Sequence, residues 1–427
     1  MMGFLKKLRR NQRGNTLILT AAAMPLLIGS AGLATDTIQW ALWKRQLQKA
    51  ADSAAIAGVY ARMAGQDAGV AVNYDVGYPS QPANAPNNNR TGYTLLNAPV
   101  VNTSLPNTAD YINPVGVTLQ IQQTLPFSSM FLSTTPTITA NATAAAVETG
   151  VYCVISLEKS NTTGITAGGT TDVDFGCGMI TNSISMDAAV AFGDSKVKAT
   201  PVAAVGGLDS KDNWQKGTVL LPFTVAQQDP FKDIATPPIP STCNDQIDDK
   251  PGDTTDYTKN GTAMGPVTKC LSKFSVQGNM TLQPGTYILT SDFSTGSKAN
   301  LKCTGCTFIL TNSDPSKVPQ LKLDGNSTLN LKAPTSGTYS DILFFQDRNA
   351  SNSTGNNVNG GSTSYFEGAF YFPNQEVTYN GNAGVSFNCV KLVARRVKFT
   401  GTSGLTNKCD DGRDQDRYKG RHVRLVA

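Results

Sequence analysis

The sequence is poor in histidine and in charged side chains. It contains one histidine, His422, and 16% of its 427 residues are charged. One histidine near the end of the chain gives no basis for a serine–histidine catalytic system. A glycine-rich phosphate loop is also missing. These absences argue against the common hydrolytic and nucleotide-binding classes.

Charge is absent altogether from residues 14–35, and every charge before them is positive. As a helix this segment reaches about 33 Å, close to the hydrocarbon thickness of a bilayer. We therefore predict a transmembrane helix whose membrane-anchoring side chains are Leu17, Ile18, Leu19, Leu26, Leu27, Ile28 and Leu33. No second run of this kind follows.

The positive residues before the span set the expected topology. They are Lys6, Lys7, Arg9, Arg10 and Arg13. By the positive-inside rule they predict a cytoplasmic basic segment at 1–13 and a translocated body. They also account for the whole net charge of +5. The body has no general attraction to nucleic acid, so we expect no nucleic-acid partner.

A helical pattern continues beyond the span and predicts an amphipathic extension over 36–63. This segment contains no proline, and apolar residues recur at near-helical spacing, at Ile38, Leu42, Ala50, Ala54, Ala57 and Ala61. Trp40 and Trp43 stand where interfacial aromatic residues anchor helices. A cleaved secretory signal, cut after Ala34, is the alternative, and the sequence leaves this open.

All of the cysteines lie beyond the span, which is typical of an oxidising compartment. The disulfide candidates are Cys153, Cys177, Cys243, Cys270, Cys303, Cys306, Cys389 and Cys409. We predict that they pair in sequential order. The closely spaced Cys303 and Cys306 are expected to form a local structural disulfide. A zinc site requires a second cysteine pair or histidines, and a redox site requires a strand–helix context.

Two textures divide the rest of the chain. Residues 64–150 show short alternating strands, at 115–121 and 138–144, and predict a small β or α+β unit with Phe127 and Met130–Leu132 in its core. Residues 151–427 repeat a corner of glycine, a polar residue and a following apolar residue. The copies begin at Gly193, Gly278, Gly325, Gly381 and Gly401.

The repeated corners predict a mainly β fold with one long N-terminal helix and a parallel β-helix-like body. Insertions are expected near 209–272 and 349–364. An antiparallel β-sandwich is the alternative.

The N-terminal residues resemble the first domain of TadG-like Flp pilus assembly proteins. The resemblance covers about residues 9–58 and rests on Arg9-Arg10-Asn-Gln-Arg13-Gly14, the apolar run, Asp36 and the Ala-rich stretch after Leu47. Parts of the body, such as 342–348 and 370–373, are similar to longer members.

The resemblance implies a bacterial envelope protein: a single-pass inner-membrane accessory or scaffold of tight-adherence pilus assembly. Other pilus assembly proteins are then the expected partners, with a glycan or surface ligand as a further candidate. Many relatives carry a von Willebrand factor A domain with an Asp-x-Ser-x-Ser metal site, and this motif is absent here. Position five after Gly14 is Leu19 where processed pilins have glutamate, which argues against processing as a pilin.

Catalysis and cofactors are not expected. A parallel β-helix outside the membrane suggests, as the main alternative, a polysaccharide-active enzyme that would use paired carboxylates. The candidate residues are Asp324, Asp341, Asp347, Arg348, Glu367 and Glu376. A secreted or anchored adhesin is the other alternative. The acidic cluster at 410–416 could in principle bind calcium, but basic neighbours and the wrong spacing favour a solvated loop.

Overall fold

The computed structural model describes residues 13–79, 94–174, 176–209, 212–256, 266–360, 364–381, 385–401, 404–408 and 418–426. These residues form two compact units. The first comprises residues 1–147 and 423–427, and the second comprises 148–422. The boundary lies close to the change of texture at residue 150, but the last five residues join the first unit.

Unit 1 is a long helix lying on a small antiparallel sheet. Helix α1 spans Arg13–Met63 and helix α2 spans Ala68–Val76. Strands β1 (Val100–Asn102) and β2 (Tyr111–Gln122) pair with each other, and β2 pairs with the first part of β3 (Thr137–Ser156). Alternation in β2 places Val115, Val117, Leu119 and Ile121 in the core, as the period of two predicts.

The inner face of α1 begins later than its sequence pattern suggests. Ile38 and Leu42, which the sequence pattern placed on the apolar side of the extension, are 61% and 53% exposed. The buried stripe runs instead through Trp43, Leu47, Ala50, Ala51, Ala54, Ala55 and Val59. Its small side chains let the helix backbone lie close to the sheet. A Cβ added at Gly58 would lie 2.9 Å from the Val115 side chain.

Unit 2 is a parallel β-helix with three faces, which we call sheets I, II and III. Among the described residues, the strands of these three sheets pair in parallel. The antiparallel sandwich is therefore excluded.

In axial order, sheet I contains β13 (Val267–Val276), β15 (Gly285–Leu289), β18 (Cys306–Leu310), β21 (Ile342–Gln346), β23 (Tyr365–Gly381), β24 (Val385–Gly401), β3, β6 (Gly178–Thr181), β9 (Val202–Ala204) and β10 (Leu220–Leu221). Sheet II contains β11 (Asp245–Asp248), the end of β13, β16 (Phe293–Thr295), β19 (Leu321–Leu323), β22 (Asn356–Gly360), the ends of β23 and β24, β4 (Ile165–Ala167) and β7 (Ala189–Ala191). Sheet III contains β12 (Thr254–Asp256), β14 (Asn279–Thr281), β17 (Asn300–Thr304), β20 (Thr328–Lys332), the starts of β23 and β24, β25 (Gly404–Lys408), β5 (Asp172–Asp174) and β8 (Lys196–Lys198). Strand β26 (Lys419–Leu425) follows near the end of the chain.

The repeated glycine corners all lie where sheet II turns into sheet III. Gly401, Gly169 and Gly193 come from successive rungs, and each has a positive φ, at 101°, 76° and 69°. A Cβ at Gly169 would lie 3.2 Å from the Gly401 carbonyl, and one at Gly193 would lie 3.1 Å from the Gly169 carbonyl. At these three rungs the corner therefore selects glycine both by backbone angle and by close stacking.

The β-helix is filled by apolar side chains, with a ladder of aromatic rings along its axis. Ring centroids of Phe293 and Phe344 lie 5.1 Å apart, and those of Phe344 and Phe370 lie 4.9 Å apart, in edge-to-face arrangements. Such pairs add about 0.5–1.5 kcal/mol each beyond their area burial. The body thus has a continuous core, as stacked coils require.

The order of the rungs along the axis differs from their order along the chain. Strand β3, which is the first of this unit, pairs with β24, which belongs to its last complete turns: Leu392 lies beside Val154 and Ala394 beside Ser156. The chain thus enters in the middle of the stack and winds to the end that contains β10. It starts again at β11, at the opposite end, and winds back to the entry point.

Candidate functional site

The first candidate site is the N-terminal half of α1, whose large apolar side chains are uncovered. Leu19, Leu26, Leu27, Ile28 and Leu33 are between 57% and 75% exposed. Among the described residues, one helix, Leu19–Met63, is long and apolar enough to cross a membrane. Exposing such side chains to water is unfavourable, at about 1.5–3 kcal/mol for each large apolar side chain. The segment therefore has the surface of a helix that lies in lipid.

The structure does not describe the side chains of two predicted anchor residues or of the basic residues that set the predicted topology. The side chains of Leu17, Ile18 and Arg13 lie outside those that the structure describes, as do residues 6–10 altogether. Of the two interfacial tryptophans, Trp40 is 40% exposed, whereas Trp43 is 7% exposed and lies in the core of unit 1. The interfacial prediction is therefore wrong for Trp43.

Asp36, the first charge after the uncharged run, binds a loop of the sheet. The backbone N–H of Phe127 donates to Oδ1 of Asp36 at 3.0 Å, and the N–H of Ser128 donates to Oδ2 at 2.5 Å. Asp36 is 3% exposed. The carboxylate thus satisfies two backbone N–H groups of this loop.

Gly32 provides the space in which Phe127 of the same loop packs against α1. A Cβ at this position would overlap the Phe127 ring, so any other residue would displace it. The close approach of this loop to α1 therefore requires glycine at position 32. At Gly29 a Cβ would meet nothing within 4 Å.

The tip of this loop is exposed and apolar. We expected Met130–Leu132 to lie in the core of unit 1, but Met130 is 76%, Phe131 74% and Leu132 51% exposed. The prediction is wrong because a short 3-10 turn, Ser128–Met130, directs these side chains away from the sheet. Phe127 alone turns inward, against Gly32.

The described cysteines of unit 2 pair in sequential order, as predicted. Disulfides join Cys153 to Cys177, Cys243 to Cys270 and Cys303 to Cys306, with Cα–Cα distances of 5.9, 4.7 and 6.0 Å. The predicted pair of Cys389 and Cys409 lies outside the described side chains. No group of three or more histidine, cysteine, aspartate or glutamate side chains in the described part of the chain could hold a metal ion.

The acids considered for glycan chemistry are dispersed among local partners. Asp347 is 5% exposed and accepts from the Thr311 hydroxyl at 2.7 Å. Glu367 lies 3.7 Å from Lys332, and Glu376 binds Arg396 at 3.1 Å. Asp341 has a positive φ of 61°, and Asp324 accepts from the Asn326 N–H. The acidic cluster at 410–416 lies outside the described residues.

Arg348, also considered a catalytic candidate, holds a segment that sequence reasoning missed. Residues 222–244, which we call the return segment, connect the end of the β-helix at β10 to the opposite end at β11. Arg348 donates to the carbonyls of Phe231 and Ile234 from this segment and to the Tyr371 hydroxyl, the last at 2.7 Å. Tyr371 in turn donates to Asp229 at 2.7 Å. Burial and the nearby Asp229 charge raise the pKa of Tyr371, so its hydroxyl stays a donor.

Further contacts hold the return segment along the outside of sheet I. Gln227 and Asn182 exchange two hydrogen bonds of 2.8 Å through backbone and amide groups. Phe231 is 1% exposed and packs edge-to-face on Tyr371. At the far end Cys243 is bonded to Cys270 of β13. The insertion predicted near 209–272 is thus in large part a structural connection.

Comparison with known proteins identifies the N-terminal part of the chain. Residues 14–66 match the family model described as putative Flp pilus-assembly TadE/G-like. The match spans almost all of α1 and ends just after it, so it covers the exposed apolar segment and Asp36. No curated protein and no solved structure matches the chain. The chain therefore carries a TadE/G-like Flp pilus-assembly domain, and this domain and its apolar helix fit a membrane-anchored protein.

Proposed function

We propose that the chain is a membrane-anchored accessory of Flp pilus assembly that acts as a scaffold. The observation that carries the proposal is the coincidence of the TadE/G-like match at 14–66 with the uncovered apolar helix. In this proposal the helix crosses the bacterial inner membrane once. Its N-terminus is cytoplasmic, and the rest of the chain after residue 35 lies on the outer side.

The disulfides support the outer location of unit 2. Three pairs occur among the described residues, and structural disulfides persist in the periplasm and are rare in the cytosol. The positive residues before the span support the same orientation.

A scaffolding role without catalysis is part of the proposal. It is supported by the local partners of the candidate acids, which are used to close corners and pair strands. Other Flp pilus assembly proteins are the proposed partners, because the family description names pilus assembly. A glycan or surface ligand of the β body stays a prediction.

Membrane fractionation of the full chain tests the anchor. Deleting 14–35 should release the protein into the soluble fraction. Leu26→Arg places a charge in the middle of the span, at a cost of about 2.5–3.5 kcal/mol, and should weaken retention. Val70→Arg on α2, where Val70 is 69% exposed, is the matched control and should leave retention unchanged. A deletion variant that stays bound after a high-salt wash contradicts the anchor.

Thiol labelling of the same fractions tests the compartment. Cysteines should be unreactive in the untreated protein and become reactive after reduction. Recovery in the cytosol with reactive thiols contradicts the proposal. A mature N-terminus just after Ala34 would favour the secreted alternative.

A genetic test addresses the pilus role. In a bacterium that makes Flp pili, deletion of the gene should lower the number of surface pili. Wild-type protein should restore them, and the Leu26→Arg variant should not. Unchanged piliation after deletion would contradict the role in assembly.

A further inference from the structure

Unit 1 presents a second apolar feature beside the membrane-spanning segment. Met130, Phe131 and Leu132 form the tip of the loop between β2 and β3, and at least half of each side chain is exposed. We define residues 126–132 as the capping loop. Such a cluster of uncovered large side chains on one short loop needs an apolar environment.

The position of the capping loop along α1 indicates which environment this is. The loop is bound to α1 at Gly32 and Asp36, at the end of the uncharged run. Ile38, Trp40 and Leu42 are exposed further along the helix, beyond Asp36. The loop thus contacts α1 on the bilayer side of these residues, level with the boundary of the hydrocarbon region.

The backbone of the capping loop is prepared for an apolar environment. The N–H groups of Phe127 and Ser128 donate to Asp36. Those of residues 129–132 donate to the carbonyls of Leu125, Phe127 and Ser128, in the loop or directly before it. Lipid tolerates a backbone only when such groups are satisfied internally. Asp36 therefore accepts hydrogen bonds from the two N–H groups, those of Phe127 and Ser128, that have no acceptor within the turn.

Charge also favours contact with lipid. No charged residue occurs between Asp110 and Glu148, a stretch that contains the whole loop. Asp36, the one charge nearby, is buried against the loop.

We propose that the capping loop inserts Met130, Phe131 and Leu132 into the outer leaflet of the bilayer, as a second membrane contact beside the helix. This inference rests on the proposed anchoring of α1. The loop fixes unit 1 against the membrane surface, so that α1 cannot rotate or change its depth freely. Asp36 and Gly32 are positioning residues for the loop.

Spin labels in the full-length protein test the insertion. The oxidised protein is reconstituted in vesicles of phosphatidylethanolamine and phosphatidylglycerol. Single nitroxides are attached at Met130→Cys, Leu26→Cys or Val70→Cys. Wild-type protein without the introduced cysteine, treated with the same nitroxide reagent, gives the background labelling. Leu26 reports the span, and Val70 is an exposed apolar position on another surface of unit 1.

Oxygen concentrates in lipid and a nickel chelate stays in water, so the collision rate of each nitroxide with the two reagents reports its environment. We expect the labels at Met130 and Leu26 to collide more with oxygen, and the label at Val70 to collide more with the nickel chelate. A Met130 label that behaves like Val70, while Leu26 reports lipid, overturns the insertion and leaves the anchor standing. That result would mean that the loop faces water or a protein partner. A Leu26 label in water overturns the proposed anchor, and the insertion with it.

A second variant tests the role of Asp36. Asp36→Ala removes both acceptors, so the Met130 label should lose its contact with lipid, while the Leu26 label keeps its own. An unchanged Met130 signal in Asp36→Ala would overturn the positioning role. Circular dichroism of the variant shows whether the fold is retained, and Gly32→Leu, which displaces Phe127, repeats the test independently.

Discussion

Replacing Arg348 should detach the return segment from sheet I. Its guanidinium donates to two carbonyls of the segment and to the Tyr371 hydroxyl, and lies 3.8 Å from Asp229. The side chains of Arg348 and Asp229 are 30% and 22% exposed. Met fills a similar volume but donates no hydrogen bond, so Arg348→Met removes these contacts with little change in packing.

The expected cost follows from those contacts. A hydrogen bond to a charged group contributes about 1.5–3 kcal/mol, and three are lost. Partial exposure lets water replace some of them. Asp229 is 22% exposed and keeps its bonds from the Tyr371 hydroxyl and the Phe231 N–H, so the loss of its cation adds little. We therefore expect Arg348→Met to lower the free energy of unfolding by about 3–5 kcal/mol.

Urea unfolding of the full-length protein in detergent measures this change, and hydrogen exchange of residues 226–236 locates it. Arg348→Lys keeps the charge but lacks the planar fork, so it should recover only part of the loss. Lys322→Met is the matched control, because the pair of Lys322 and Asp292 is on the surface, with side chains 49% and 38% exposed. It should cost less than about 1 kcal/mol.

The reasoning about the return segment would be refuted by either of two results. One is a stability of Arg348→Met within about 0.5 kcal/mol of the wild type, which is typical of a surface substitution away from special features. The other is unchanged exchange of the segment amides, which would mean that other contacts hold it in place.

Three further predictions concern unit 2. Replacing Cys243 and Cys270 by alanine should cost about 3.5 kcal/mol in urea unfolding relative to the oxidised wild type, because the bond closes a loop with a sequence separation of 27; no loss relative to the oxidised wild type would contradict this. Gln375→Ala should cost about 1–3 kcal/mol, since its carboxamide satisfies two buried neighbouring amides and a carbonyl; a value near zero would show that water replaces it. Burial raises the pKa of Glu158, but hydrogen bonds from Ser160 and Arg395 outweigh it and hold the pKa below 4.5. Its stabilising effect should therefore be full above the unfolded pKa and be lost as pH falls through the folded one, so the difference between wild type and Glu158→Gln should shrink as the pH falls below about 4.3, and a difference that grows would contradict it.

The contacts of Glu158 help to hold β3, where the chain enters the β-helix, against β24. Glu158 follows β3, the first strand of unit 2, and binds Arg395 of β24 at 2.9 Å. The Ser156 hydroxyl donates to the Arg395 carbonyl at 2.8 Å. Ion pair and hydrogen bond thus bridge two rungs that are far apart in the chain. The return segment makes this arrangement possible, because it connects the two ends of the stack.

Local patterns in the sequence were sufficient for the helix, the class of fold and the corners. The uncharged run predicted the exposed part of α1, since lipid-facing side chains need no tertiary partner to be recognised. The glycine repeats predicted the corner between sheets II and III, since a positive φ, as at Gly193 and Gly401, is a local demand on the residue type. The sequential pairing of the described cysteines was anticipated by the same local reasoning.

Tertiary structure alone decided which apolar residues are buried and how the rungs are ordered. Met130 and Phe131 look like core residues in sequence, and only the bonds from the loop to Asp36 show that they point outward. Nothing local distinguishes a stack that begins at its end from one that begins in its middle, because each rung pairs equally well with any rung of matching shape. The pairing of β3 with β24 and the path of the return segment are long-range contacts, and these depend on the whole stack rather than on any short stretch of residues.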